Sequence, residues 1–209
     1  MKSIFSRIKK KLDKYYIMRE EAIKLQRDLL RVSREAIQLI HNGKIRRAEE
    51  ILTEGKELIN RINFMGKEEP RIIYSGAWID ASKEYCEALL LLFVVREKGK
   101  LENISIPSPD DLGVLEEAWI LGLAEVTGEL KREILLALNA EKIDLAQAYL
   151  NVIKEIYGMI SKLAYPGAII PGIKSKVDYV RSIMLSSEEI IIRFRHEIEL
   201  KKKIEMISK

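Results

Sequence analysis

The chain has 209 residues, 47% of them hydrophobic, and its 36 Lys and Arg against 32 Asp and Glu give a formal net charge of +4. This length is ample for a hydrophobic core, the scarcity of Gly and Pro argues against a turn-rich β fold, and so mild a charge does not by itself indicate nucleic-acid binding. The longest apolar run, Ala88 to Val95, is too short to cross a membrane. With one cysteine and no secretory signal, we expect a cytoplasmic protein with no membrane partner.

Helical periodicity runs through the whole sequence. Apolar residues recur every three or four positions, and this pattern predicts helices, in chain order, over about 4–40, 45–65, 72–97, 112–138, 144–164 and 174–207. Gly43 suits a left-handed position after the first helix, and residues 100–110 are predicted to form the clearest loop. Asp110 or Asp111 can cap the fourth helix, and Asp144 can cap the fifth. We therefore predict an all-α chain, a single domain over residues 1–209, with six to seven long helices whose short connections imply antiparallel neighbours.

Acidic residues border the most apolar parts of two helices. Glu84 and Glu87 precede the run Ala88 to Val95, whereas Glu125 and Glu129 follow the apolar residues 118–124. Residues three or four positions apart share one helix face, and a lone buried carboxylate is costly unless it is protonated, paired or bound to a cation. Four such acids on adjacent helices point to a shared cation, and oxygen ligands alone favour Mg²⁺ or Mn²⁺ over zinc.

Other interpretations of these acids stay open. They either point to solvent or form ion pairs with basic residues near them in sequence: Lys83, Lys131 or Arg132. Gly122 and Gly128 share a face with Glu125 and would let another backbone or a substrate approach it closely. A ferritin-like di-iron site is the weaker enzyme hypothesis, because Glu-x-x-His occurs nowhere in the chain. Cys86 is expected to pack between helices.

These segments resemble the translin–Trax family of helical RNA- and single-stranded-DNA-binding proteins, over nearly the whole chain. Residues 84–88, Glu-Tyr-Cys-Glu-Ala, resemble the Glu-Tyr-x-Glu-Ala segment of Trax, and residues 121–132 resemble its pattern Leu-Gly-x-Ala-Asp-x-Thr-Gly-Glu-Leu-x-Arg. In the first helix, Arg19-Glu20-Glu21 and Arg34-Glu35 resemble the translin pattern at the same spacing, and residues 25–28 resemble Trax.

The resemblance implies a translin-like helical bundle with the activity of Trax, a metal-dependent endoribonuclease that acts on single-stranded RNA. The catalytic, metal-binding acids of Trax fall here on Glu84, Glu87 and Glu125, with Glu129 as a fourth member, and Glu125 departs from the Asp of the family pattern. Mg²⁺ or Mn²⁺ held by them lowers the pKa of a bound water and neutralises charge on the phosphate. The implied assembly is a hollow homo-oligomer, an octamer, that binds single-stranded RNA and, as a second candidate, single-stranded DNA.

Two other classes of function compete with this one. The first is a non-catalytic, translin-like scaffold that binds single-stranded RNA or DNA and uses its four glutamates in structural ion pairs. The second is a purely structural helical oligomer.

A candidate nucleic-acid surface lies on the first helix. Its basic residues follow one stripe at i, i+3, i+7 and i+10: Lys24, Arg27, Arg31 and Arg34. The alternative is an ordinary solvated face balanced by Glu20, Glu21 and Asp28. Arg132, three residues after Glu129, is either a phosphate clamp or an ion-pair partner. Four tyrosines are available for base stacking, although each is more typical of a core or an interface: Tyr15, Tyr16, Tyr74 and Tyr85.

Overall fold

The computed structural model describes residues 1–100 and 106–207, and within them it contains seven helices and no strand. The all-α prediction is therefore confirmed. In chain order the helices are α1 Lys2–His41, α2 Ile45–Glu68, α3 Gly76–Arg96, α4 Pro109–Leu112, α5 Glu116–Asn139, α6 Ile143–Ile160 and α7 Ile173–Ile207. No helix in the described residues combines the length and the hydropathy that crossing a bilayer requires.

The predicted start of α3 is four residues too early. Residues 69–75 form successive turns instead, with the amide of Ile72 bonded to the carbonyl of Glu69 and the amide of Ile73 to that of Pro70. The hydroxyl of Ser75 accepts the amide of Trp78 at 3.3 Å, which satisfies one of the free donors at the first helical turn and fixes where α3 begins.

The predicted caps of two helices are wrong. The helix predicted from residue 112 begins four residues later, as α5, because Gly113, in the left-handed region at φ 67°, ends the one-turn helix α4. Ser108 caps α4 in a capping box with Asp111, and its hydrogen bonds to that carboxylate hold the pKa of Asp111 below its ordinary value. The cap of α6 is Lys142, so Asp144 lies in the first turn. Of the predicted loop 100–110, residues 101–105 lie outside the described residues.

The chain divides into two compact units, the first of which comprises Met1–Leu89 and Pro107–Trp119. In this unit α1 and α2 run antiparallel, as predicted, with Lys14 paired to Glu68 and Arg61 to Glu21. Gly55 leaves room for the ring of Tyr85, whose Cε2 would lie 2.6 Å from a Cβ at that position. The fully buried side chains around them include Leu29, Ile40, Ile59, Ile62 and Trp78.

The second unit comprises the described residues of Leu90–Ile106 and Ile120–Lys209. Its hydrogen bonds define the helix directions. Along α5, Glu125 accepts from Lys176 of α7 and Lys131 donates to Ser186 of α7. Along α6, Gln147 and Lys154 bond to Arg195 and Glu188 of α7. Helix α7 is therefore parallel to α5 and antiparallel to α6. Both α3 and α5 contribute residues to each unit, and the single domain predicted over residues 1–209 stays a prediction.

Candidate catalytic acids and nucleic-acid interface

The acidic pair on α3 lies away from open solvent. Glu87 is 9% exposed, and the side chain of Glu84, which is 24% exposed, forms an ion pair with Arg34 of α1 over 3.6 Å from Nε to Oε2. Residues 85 and 86 between them are buried. Because a mostly buried apolar run follows directly, the middle of α3, which carries this pair, is drawn inward with it. The prediction that these acids border a buried segment is confirmed.

The acidic pair on α5 is half-buried and also has a basic neighbour. The ammonium of Lys176, in the second turn of α7, donates to Oε1 of Glu125 at 2.5 Å, and the two side chains are 29% and 20% exposed. Of the basic residues near this pair in sequence, Lys131 bonds to Ser186, and Arg132 is exposed without an ion pair among residues 1–100 and 106–207. Glu125 instead pairs with a residue 51 positions away.

Tyr179 occupies the space beside Gly128. A Cβ at Gly128 would lie far inside van der Waals contact of the Tyr179 hydroxyl. Glycine at this position therefore admits a side chain of α7, where the sequence had suggested room for a backbone or a substrate. The centroid of the same tyrosine ring lies 5.4 Å from the Lys176 ammonium, within reach of a cation–π interaction. Sequence reasoning missed both α7 residues, although their spacing of three puts them on one helix face.

A fifth acid, Glu133, extends the row on α5. It follows Glu125 and Glu129 at intervals of four and is 9% exposed. Burial, and secondarily the charge of Glu133, raise the pKa of Tyr149 on α6 to about 12. The regular interval is a signal that the sequence already contained.

A divalent cation matches these side chains in donor chemistry, since carboxylate oxygens are what Mg²⁺ and Mn²⁺ prefer. A positive group already lies against one acid of each pair, the guanidinium of Arg34 at Glu84 and the ammonium of Lys176 at Glu125. Each pair by itself supplies two carboxylates. In the part of the chain that the structure describes, no three or more His, Cys, Asp or Glu side chains are grouped closely enough to hold a metal ion.

The predicted basic stripe on α1 is exposed along its whole length. Arg31 lies 3.9 Å from Asp28 and 3.7 Å from Glu35, and Arg34 contacts Glu84. Lys24 and Arg27 form no ion pair within the described residues. The other acids expected to balance the stripe are paired elsewhere, Glu20 with Arg19 and Glu21 with Arg61. The N-terminal half of the stripe therefore presents uncompensated positive charge to solvent.

The four tyrosines considered for base stacking and the single cysteine differ in their exposure to solvent. Tyr85 is buried and its hydroxyl donates to the carbonyl of Leu52 at 3.1 Å, so it is no stacking surface for a base. Tyr15 lies under the guanidinium of Arg71, 3.9 Å from its ring centroid. Cys86 is fully buried, which raises its thiol pKa to about 12 and removes the thiolate needed for chemistry at neutral pH. The remaining two tyrosines, Tyr16 and Tyr74, are exposed.

Residues 17–195 of the sequence match the Translin family. The chain belongs to the Translin family. The predicted resemblance is thus confirmed, and the first 16 residues and the last 14 lie outside the matched segment.

Solved structures share the fold of this Translin-family chain. The structure of AfC3PO in complex with duplex RNA is 26% identical, with a TM-score of 0.82 over 92% of this chain and 97% of that one. Apo-NeC3PO, at 20% identity and a TM-score of 0.78, covers 91% of this chain and 96% of its own and shows the likeness in fold alone. An uncharacterized protein of Methanocaldococcus jannaschii is 27% identical over 193 residues, which are 91% of this chain and 82% of that protein.

Proposed function

We propose that this Translin-family protein binds RNA and cleaves it as a metal-dependent endoribonuclease. Support for RNA as the partner comes from AfC3PO, a structural relative that is 26% identical and whose solved complex contains duplex RNA. Further support comes from Lys24 and Arg27, which expose unpaired positive charge on α1 and are suited to phosphate oxygens. Single-stranded RNA is the substrate we favour, with single-stranded DNA as a further ligand.

The observation that carries the proposal of cleavage is the burial of the acids in the Trax-like segments. Glu87 is 9% exposed and Glu125 has a side chain 20% exposed, although solvated glutamates would be far less costly at both places. Acids in such surroundings need positive charge close by, which Lys176 supplies at Glu125, and the four carboxylates have the oxygen chemistry that a Mg²⁺ or Mn²⁺ ion would use. We assign Glu84, Glu87, Glu125 and Glu129 as the ligands.

The side chains have distinct proposed roles. A bound Mg²⁺ or Mn²⁺ would supply Lewis-acid activation of water and neutralise charge on the phosphate. Glu84, Glu87, Glu125 and Glu129 would hold the ion, and Arg132, exposed and without an ion pair in the described residues, would bind a phosphate oxygen. Attack by water breaks the P–O3′ bond, so the products carry a 5′-phosphate and a 3′-hydroxyl.

We further propose that the protein acts as a homo-octamer in the cytoplasm. Native mass spectrometry then gives a species of about eight times the 24.1 kDa chain mass. A stable species of any other size would leave the shell-like assembly without support.

Cleavage of labelled, unstructured RNA tests the function directly. With Mg²⁺ the parent protein produces 5′-phosphate ends, and EDTA abolishes them. Glu87→Gln and Glu125→Gln each lower the rate by at least about 100-fold, because each removes one charged ligand. Glu57→Gln, at an exposed glutamate of α2, leaves it unchanged. The same assay with a duplex RNA and a single-stranded DNA of matched sequence shows which class of nucleic acid is cleaved. Unaltered cleavage in both ligand variants would refute the proposal.

A second candidate function is a scaffold that binds RNA without cleaving it. It is favoured by the two internal ion pairs, Arg34 with Glu84 and Lys176 with Glu125, which compensate acidic charge without a metal. Such a scaffold retains labelled RNA in a salt-sensitive manner and yields no product with either Mg²⁺ or Mn²⁺.

A further inference from the structure

Lys176 places a positive charge on the carboxylate oxygen that a metal ion would use. Its Nζ lies 2.5 Å from Oε1 of Glu125, and only 29% of the lysine side chain and 20% of the glutamate side chain are exposed. At this distance, with so little water around the pair, the ammonium neutralises the carboxylate directly. A divalent ion that binds this oxygen must displace the ammonium, or its binding is weakened by the positive charge of the ammonium.

Tyr179 provides the ammonium with a second favourable contact. Its ring centroid is 5.4 Å from Nζ of Lys176, and its hydroxyl lies over Gly128, one turn along α5 from Glu125. This contact does not involve the carboxylate of Glu125, so it is available to the ammonium whether or not another cation takes that carboxylate.

We propose that Lys176 is a positioning residue that holds Glu125 while the divalent ion is absent and competes with that ion for the carboxylate. The proposal rests on the metal site of the proposed function. Since coupling between two ligands of one group is reciprocal, the lysine weakens metal binding by the same factor by which the metal weakens the lysine contact. Lys176 thereby sets the metal concentration at which the acids of α5 become occupied.

Titration of the protein with Mn²⁺, followed by the electron paramagnetic resonance signal of free Mn²⁺, tests the competition without any assay of activity. Lys176→Met is expected to lower the Kd for Mn²⁺ about three- to tenfold, because a partly exposed ion pair that must be broken is worth roughly this factor. Lys176→Arg keeps the charge and stays within about twofold of the parent protein.

Lys154→Met is the matched control. It removes another lysine that bonds to a glutamate across two helices, Glu188 of α7 at 2.6 Å, and its loss leaves the Kd for Mn²⁺ unchanged. If Lys176 only stabilises the packing of α7 against α5, the result is different: Lys176→Met lowers thermal stability and leaves the Kd for Mn²⁺ equal or higher. That outcome would overturn the proposal.

Amine acylation of the parent protein, quantified by mass spectrometry, provides a test without substitutions. Acylation of Lys176 is expected to rise at least twofold when saturating Mn²⁺ displaces its ammonium, whereas exposed Lys24 on α1 reacts at one rate throughout. Equal acylation of Lys176 with and without bound Mn²⁺ contradicts the proposal. If the parent protein binds no Mn²⁺, the metal site and this inference both fail; if it binds and Lys176→Met does not tighten binding, only this inference fails.

Discussion

The hydroxyl of Tyr179 on α7 fills the space beside Gly128 on α5 that the side chain of any other residue would need. Gly128 belongs to the Thr-Gly-Glu segment that resembles Trax, and Tyr179 lies three residues after Lys176, which bonds to Glu125. One tyrosine thus links the glycine of the acidic segment to the lysine that neutralises its first acid. The contact explains why a glycine, unfavourable in a helix, stands in the middle of α5.

The contact between Tyr179 and Gly128 restricts residue 128 to glycine. Gly128→Ala is expected to destabilise the parent protein by about 1–3 kcal/mol, because the new methyl group meets the Tyr179 hydroxyl. In a Tyr179→Phe background the nearest ring atom, Cζ, lies 3.6 Å from the Cβ, an ordinary contact. There the same substitution becomes neutral or stabilising by up to about 1 kcal/mol, through helix propensity. Urea denaturation of the four proteins measures the coupling, and equal effects in both backgrounds would exclude the contact.

The basic stripe of α1 gives the second prediction. Arg27→Glu combined with Arg31→Glu should weaken RNA binding and reduce the slope of log Kd against log salt by about 1.4, since two phosphate contacts are lost. The control is Lys44→Glu combined with Arg46→Glu, which changes the net charge equally at exposed positions outside the stripe. Filter binding at several salt concentrations measures both. An unaltered slope in the stripe variant would show that these residues form an ordinary solvated surface and do not contact RNA phosphates.

Because of Cys86, the free energy of unfolding is expected to decrease as the pH rises through the alkaline range. Burial raises the pKa of its thiol to about 12, whereas in the unfolded chain it is about 8.5. The folded state therefore holds the proton more tightly, and the stability gained is complete below pH 8.5 and is lost as the pH rises from there towards 12. Between pH 8.5 and 10, the parent protein should lose about 2 kcal/mol more than Cys86→Ala does.

Urea denaturation at pH 7.5, 8.5 and 10 checks this difference. Comparing the pH dependence of each protein cancels the constant cost of the cavity that alanine leaves. Parallel curves for the two proteins would show that the thiol is not buried as described. Below pH 8.5 the two proteins should differ by a constant amount.

Ser187 of α7 carries the fourth prediction. Its buried hydroxyl has no hydrogen-bond partner in the described structure, and such a group costs about 1–3 kcal/mol. Ser187→Ala is therefore expected to stabilise the fold by about 1 kcal/mol. Ser33 on α1 is the matched control, since its equally buried hydroxyl donates to the Leu29 carbonyl at 2.8 Å, and its replacement by alanine should be neutral or destabilising. Thermal unfolding of both variants distinguishes them, and a loss of stability in Ser187→Ala would contradict the prediction.

Local patterns predicted the long helices well, because amphipathic periodicity is strong in α1 and α2. Gly43, in the left-handed region at φ 71°, marks the end of α1. The caps were harder to predict. Ser108 and Asp110 are both good capping residues in sequence, and only the hydrogen bonds with Asp111 decide between them.

The burial of the candidate acids was predictable from the sequence, and their ionic partners were not. An apolar run beside Glu87 is enough to indicate burial. The cations on these acids come from far along the chain, Arg34 for Glu84 and Lys176 for Glu125, and no local spacing encodes a contact across 50 residues or more. Glu133 was missed because it follows two basic residues rather than an apolar run.

The divalent-cation site proposed on the carboxylates of α3 and α5 is tested most directly by a crystal soaked with Mn²⁺ and measured at a wavelength that gives anomalous scattering. We predict an anomalous peak about 2.0–2.2 Å from oxygens of Glu125 and of further acids among Glu84, Glu87 and Glu129, with the ammonium of Lys176 moved off Glu125. Lys176 and Arg34 still bonded to their glutamates at saturating Mn²⁺, with no anomalous peak at any of the four acids, would contradict the claim.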